Sequence, residues 1–203
     1  MSESSLTYLT DDEIAKLLAQ FNDRYLNPTR NKVMVQLFLA AGLTLSEMIN
    51  LKWKNLDLQE GELTVIKDGR VDSELDIADE VIIQLIDWQQ KQLEEIGEID
   101  LVFTTGSGTK LSPNQVYTTI DTYASKAGIQ EEVKAYYERE EGMINMFEDS
   151  YLKRRVNPTA LRNTFAINRL KEGRSINQVA DLLGQKNPSN IRYYEEVLKE
   201  ESN

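Results

Sequence analysis

The 203-residue sequence predicts a mainly α-helical fold with a small three-stranded antiparallel β-sheet. Over most of the chain, apolar residues recur at helical spacing, often directly after a Ser or Thr that has Glu or Gln three positions later. One region differs, because it holds three short β-type segments separated by Glu-Gly and Asp-Gly pairs, which are typical of tight turns. The length fits one domain, and residues 1–203 are predicted to form it.

The first half of the chain supplies helices and the sheet. A capping box of Thr10 and Glu13 predicts the start of the first helix, and Asn31–Ala41 is predicted to be a buried second helix. A further capping box, of Thr44 and Glu47, predicts a third helix with Thr44 as its cap. The strands of the sheet are predicted at Leu56–Leu58, Glu62–Ile66 and Glu74–Ile77.

The second half is predicted to be helical apart from one charged segment. The longest helix is predicted at Asp79–Ile96, and another begins at Ser112. Residues 129–151 are rich in charge and are interpreted as an extra helix or an insert. The stretch Val156–Tyr194 is predicted to form three short helices, because Gly, Asn and Pro punctuate it at positions that stop or start helices.

The composition excludes several classes of site. The chain contains neither cysteine nor histidine, which removes disulfides, thiolate zinc sites and the usual near-neutral acid–base group. No cofactor is predicted. Apolar runs fall short of the length that spans a bilayer, and the acidic N-terminal residues do not resemble a signal peptide. We therefore expect a cytoplasmic protein without a membrane partner.

The charge distribution is uneven along the chain. The formal net charge of −11 argues against nucleic-acid binding, since phosphate contact normally requires a basic face. Within Tyr151–Arg192, however, nine basic residues stand against two acidic ones. This stretch is predicted to supply a DNA-binding surface of weak to moderate affinity. Its candidate contacts are Lys153, Arg154, Arg155 and Arg192.

Four short segments carry recognisable motifs. Gly42–Trp53 reads GLTLSEMINLKW, Lys67–Arg70 reads KDGR, Ala160–Ala166 reads ALRNTFA, and Leu182–Gln185 reads LLGQ, with Tyr194 nine residues after it. In this order, the four segments resemble the boxes of the tyrosine recombinase catalytic domain, the phage integrase family. The resemblance implies the fold of that catalytic domain, which is mainly α with a small antiparallel sheet.

The resemblance also implies a site for DNA strand transfer. In the family, a tyrosine attacks a DNA phosphodiester and forms a phosphotyrosine, two arginines bind the phosphate oxygens, and a lysine protonates the leaving oxygen. It assigns these roles to Tyr194, Arg162 and Lys67, with Tyr193 as the neighbouring alternative to Tyr194.

Several positions of the family's site are replaced. Thr44 stands in place of the first arginine, Thr159 and Gln185 in place of the two histidines, and Asn163 in place of the histidine that follows Arg162. Cleavage is therefore expected to be absent or very slow, because one preorganised donor typically contributes about 10²–10³ in rate. A cation from elsewhere could stand in for the missing arginine, and the sequence leaves that open; the candidates are Lys52, Lys54 and Arg70.

Three functions follow from this pattern. The first is a catalytically impaired integrase-family protein that acts in DNA recombination or integration by binding DNA or a recombinase partner. The second is an active recombinase with a remodelled site, and the third is an acidic partner that does not bind DNA. A protein partner would be a second copy or an active recombinase, contacted through the C-terminal helix. The family's N-terminal core-binding domain is predicted to be absent, since residues 1–10 leave no room for it.

Overall fold

The computed structural model describes residues 6–67, 70–136 and 148–201. The predicted fold class is confirmed, because helices dominate and a three-stranded antiparallel sheet joins them. The helices are α1 Asp11–Leu18, α2 Leu26–Ala41, α3 Leu45–Asn50, α4 Asp79–Glu95, α5 Pro113–Lys126, α6 Pro158–Lys171, α7 Ile176–Leu182 and α8 Tyr193–Glu201, with 3-10 turns at Trp53–Asn55 and Pro188–Ile191. The strands are β1 Leu56–Asp57, β2 Glu62–Lys67, β3 Arg70–Asp76, β4 Glu131–Tyr136 and β5 Glu148–Arg154.

Four helices begin at capping boxes that the sequence predicts. In each, a Ser or Thr side chain accepts the N–H of the third helical residue, whose own side chain accepts the N–H of the cap. The four caps are Thr10, Thr44, Ser112 and Ser175.

Helix α2 is longer than predicted and lies at the centre of the core. It begins at Leu26 instead of Asn31, and Pro28 fits in its first turn, where an N–H would have no partner within the helix. Its buried side chains, including Met34 and Phe38, face α4 and α6. The prediction of a buried second helix is confirmed.

The sheet has the order β1-β2-β3, with both pairs antiparallel. Leu63, Val65 and Leu75 turn one face of it to the core. The β2–β3 ribbon extends beyond the prediction to the backbone pair of Lys67 and Arg70. The turn predicted at Asp68-Gly69 lies outside the described residues.

The helix alternative for residues 129–151 is wrong in its described part. β4 and β5 form an antiparallel pair, in which Val133 lies opposite Tyr151. Two paired strands hydrogen-bond each other's backbone N–H and C=O groups. This charged segment therefore needs no helix to pair its backbone. Residues 137–147 lie outside the described part of the chain.

Helix α6 joins two apolar clusters. Leu161 belongs to the main core with Phe38 and Trp88, whereas Phe165 belongs to a smaller cluster with α7 and α8. Leu6 and Tyr8 pack against this smaller cluster, and α8 lies on α6 of its own chain. Among the described residues, no helix combines the length and apolar character needed to cross a bilayer.

Candidate functional site

The Arg162 side chain connects two loops that are far apart in sequence. Its Nη1 donates to the backbone oxygen of Gly42 at 2.5 Å, and its Nη2 donates to that of Leu183 at 2.7 Å. Burial lowers the pKa of Arg162, and the nearby Glu47 carboxylate opposes that shift. Both terminal nitrogens of the guanidinium are thus engaged by the protein, at the C-terminal ends of α2 and α7.

Two carboxylates line the same narrow cleft as Arg162. Glu47 Oε2 lies 3.9 Å from Arg162 Nη1. On the other wall, Asp72 lies against Gly184, where an added Cβ would come within 2.5 Å of Asp72 Oδ2. The cleft has a volume of about 10 Å³, which is roughly the space for one water molecule. Neither its charge nor its size suits a phosphate in this conformation.

Thr44 is a helix cap, as predicted. Its Oγ1 accepts the Glu47 N–H at 3.2 Å, and Glu47 Oε2 accepts the Thr44 N–H at 2.7 Å. The same Oε2 faces Arg162, so the capping box also positions the carboxylate of the cleft. A single hydroxyl cannot replace the two-pronged guanidinium that the family places here.

Thr44→Ala is expected to lower the free energy of unfolding by about 0.5–2 kcal/mol, because the Glu47 N–H loses its acceptor. Thr44→Ser keeps the oxygen and is expected to stay within about 0.5 kcal/mol of the wild type. Urea denaturation followed by circular dichroism measures both. A Thr44→Ala midpoint equal to that of the wild type would show that the cap contributes nothing.

Tyr194, and not Tyr193, is the buried tyrosine of α8. Tyr194 is 2% exposed and Tyr193 is 41% exposed, with their ring centroids 4.3 Å apart. The Tyr194 hydroxyl donates to Asn163 Oδ1 at 2.8 Å. Burial raises the pKa of Tyr194 far above its usual range, Tyr193 raises it further, and the charge of Arg162 opposes the shift. The hydroxyl proton is therefore harder to remove than that of an ordinary tyrosine, and a neutral phenol is a weak nucleophile.

None of the contacts described for Arg162 involves the replaced positions Thr159 and Gln185 or the candidate cations Lys52 and Lys54. Thr159 is exposed on the first turn of α6. Gln185 is half-buried, and its backbone N–H donates to Ala180 after the end of α7. Lys52 pairs with Asp100 at 3.3 Å instead of approaching the cleft. Lys54 is exposed. The side chains of Lys67 and Arg70 lie outside the described part, so their predicted roles stay predictions.

The predicted DNA contacts are described only in part. Arg155 is exposed and pairs with Asp121, with 3.3 Å between Nε and Oδ1. Arg192 is exposed directly before α8. The backbones of Lys153 and Arg154 end strand β5, and their side chains lie outside the described residues.

The sequence did not predict that two carboxylates lie beside Arg162 in the cleft. Glu47 was found only as a capping residue, and no signal pointed to Asp72, which comes from a strand distant in sequence from Arg162. The structure brings Arg162, Thr44 and Glu47 together, and it places Tyr194 near enough for Arg162 to affect its pKa.

Comparison with known proteins gives consistent matches. The sequence model of the phage integrase family matches residues 7–201. The tyrosine recombinase XerC of Proteus mirabilis is 27% identical over 166 residues, which cover 81% of this chain and 47% of that protein. The chain thus spans about half the length of the curated relatives it matches.

Solved structures have the same fold. The crystal structure of XerA recombinase matches with a TM-score of 0.72 and 24% identity, covering 92% of this chain and 59% of that one. The XerH site-specific recombinase bound to palindromic difH substrate, a post-cleavage complex, matches with a TM-score of 0.68 and 20% identity, covering 97% and 52%.

Proposed function

Because the chain belongs to the phage integrase family, we propose that it binds DNA in recombination or integration while cleaving DNA very slowly or not at all. The observation that carries the proposal is the engagement of Arg162. Both its terminal nitrogens are bonded to backbone oxygens, and a carboxylate lies beside it.

A scissile phosphate would meet three obstacles at this cleft. It would have to displace the Gly42 and Leu183 oxygens from Arg162. It would then lie near Glu47, and two like charges 4 Å apart repel by about 4 kcal/mol at an effective dielectric constant of 20. Thr44 supplies no second guanidinium, and the loss of one such donor typically lowers the rate about 10²–10³-fold.

The nucleophile is equally unprepared. The Tyr194 hydroxyl is buried and donates a hydrogen bond to Asn163 Oδ1. Burial also raises its pKa above the usual range, which makes the hydroxyl proton harder to remove than that of an ordinary tyrosine. Cleavage would require both the tyrosine and the arginine to leave their present partners.

DNA binding is supported by the family and by the basic stretch. Tyr151–Arg192 has nine basic residues against two acidic ones, so it is a net positive stretch that can contact phosphate in an otherwise acidic protein. The solved complex of XerH with its difH substrate shows that a protein of this fold binds DNA. The acidic remainder of the chain repels a duplex, so binding is expected to be weak and steeply salt-dependent. We further propose that the protein uses α8 to contact a second copy of itself or an active recombinase.

We expect no covalent protein–DNA adduct. The test incubates the protein with nicked suicide duplexes whose central bases are randomised, and separates the products under denaturing conditions. Tyr194→Phe is the control, because it removes the candidate nucleophile. An adduct that forms with the wild type and disappears with Tyr194→Phe would instead establish an active recombinase with a remodelled site.

We expect the duplex affinity to fall steeply between roughly 20 and 200 mM salt, as counterion release predicts. Fluorescence anisotropy of a labelled duplex measures it. The triple replacement of Lys153, Arg154 and Arg155 by alanine is expected to abolish binding. The matched control removes three exposed cations from the α1 and α5 side, Lys16, Arg24 and Lys126, and is expected to weaken binding much less, through the change in net charge alone. Flat anisotropy at the lowest salt with folded protein would favour the acidic partner that does not bind DNA.

A further inference from the structure

Residues Leu6–Leu9, the N-terminal strap, lie along α6 and are held at two adjacent positions of that helix. The Leu9 N–H donates to Thr164 Oγ1 at 2.9 Å, and the Thr7 backbone oxygen accepts from Asn163 Nδ2 at 3.0 Å. Leu9 is buried in the main core, while Leu6 and Tyr8 pack against the cluster that contains α8. The strap thus connects both apolar clusters and covers α6 beside the C-terminal helix.

The Asn163 amide connects the strap to the tyrosine. A backbone oxygen only accepts, so the amide end that meets Thr7 has to be Nδ2. The opposite end, Oδ1, then faces Tyr194 and accepts its hydroxyl proton at 2.8 Å. Asn163 and Tyr194 are both buried, and a buried amide or hydroxyl without a partner is costly. The Thr7 bond therefore fixes the amide orientation that the Tyr194 bond requires.

We infer that Asn163 is a positioning residue for Tyr194, and that the N-terminal strap controls it through the Thr7 carbonyl. With the strap in place, the hydroxyl is directed to Asn163 and kept inside the small cluster. When the strap leaves α6, the amide loses the bond that orients it, and Tyr194 loses part of the packing that buries α8. This goes beyond the proposed function, because it states how the hydroxyl is held whether or not the protein cleaves DNA.

Residue-specific acetylation tests the inference without DNA. The full chain is treated with N-acetylimidazole, and the rates at Tyr193 and Tyr194 are read by tandem mass spectrometry. The exposed Tyr193 is the internal reference, and Tyr194 is expected to be protected in the wild type. Asn163→Leu removes both hydrogen bonds at similar volume. It is expected to raise the acetylation rate at Tyr194, relative to Tyr193, about fivefold to tenfold. This is the change expected when the conformation that protects the hydroxyl loses one hydrogen bond.

A second variant loosens the strap without touching Asn163 or Tyr194. Thr164→Val keeps the shape of the side chain and removes the acceptor of the Leu9 N–H. It is expected to raise the relative Tyr194 rate about threefold. This variant also keeps the inference testable if Asn163→Leu does not fold.

A variant that lowers stability elsewhere separates the hydrogen-bonded chain from general loosening. Ser112→Ala weakens the α5 cap, away from the Arg162 cleft, and is expected to leave the relative Tyr194 rate unchanged. An equal rise in Ser112→Ala, or no rise in Asn163→Leu, would overturn the inference. A rise in Asn163→Leu without one in Thr164→Val would overturn the control by the strap. None of these outcomes depends on DNA binding or cleavage, so failure here is distinct from failure of the proposed function.

Discussion

Gly42→Ala is expected to lower the free energy of unfolding by about 2–5 kcal/mol, through backbone strain and overpacking together. Gly42 ends α2 with φ +59°, a left-handed conformation that a side chain disfavours. A Cβ at this position would also lie 2.3 Å from Cδ1 of the buried Phe165 ring. Because Phe165 belongs to α6, the ring cannot move without disturbing the helix that carries Arg162.

Gly128→Ala is the matched control for backbone strain alone. Gly128 follows α5 with φ +66°, and its added Cβ would meet nothing within 4 Å. Its expected cost is about 1–2 kcal/mol. Urea denaturation of both variants gives the difference that belongs to the contact with Phe165. Equal losses of stability in the two variants would show that the contact between Gly42 and Phe165 has room for a Cβ.

Arg162→Met is expected to lower the free energy of unfolding by about 3–5 kcal/mol. Two hydrogen bonds to a charged group contribute about 1.5–3 kcal/mol each. Removing the arginine leaves the two acceptor oxygens without a donor and the nearby carboxylate without a positive partner. The acceptors, Gly42 and Leu183, lie in the loops that close the cleft. Glu47 is the carboxylate left behind. Urea denaturation followed by circular dichroism measures the loss.

Two controls define what the Arg162 result means. Arg162→Lys keeps one charge but not the two-pronged geometry, so an intermediate loss is expected. Arg174→Met removes an exposed arginine after α6 and is expected to stay within about 0.5 kcal/mol of the wild type. A loss for Arg162→Met as small as that for Arg174→Met would mean that Arg162 is free to bind phosphate, against the proposed function.

Features that depend on near neighbours in the chain were predictable from the amino-acid order. A capping box needs only a cap and the residue three positions later, so the pattern of Thr44 and Glu47 was enough to identify Thr44 as a cap. The three strands of the sheet were predictable for a similar reason, because only short Gly-containing segments separate them in the sequence. The family motifs are also local patterns, and they identified Arg162 and Tyr194 as candidate site residues.

What those residues do was decided by tertiary contacts. Arg162 meets Gly42 and Leu183 only because α2, α6 and α7 pack together, and no short-range pattern encodes that contact. The choice between Tyr193 and Tyr194 likewise depended on which side of α8 faces α6. The pairing of β4 with β5 was hidden because short charged segments carry no clear period, and strands become stable only with a partner. Side-chain function here is set by long-range contacts, since burial and hydrogen-bond partners exist only after the helices have packed.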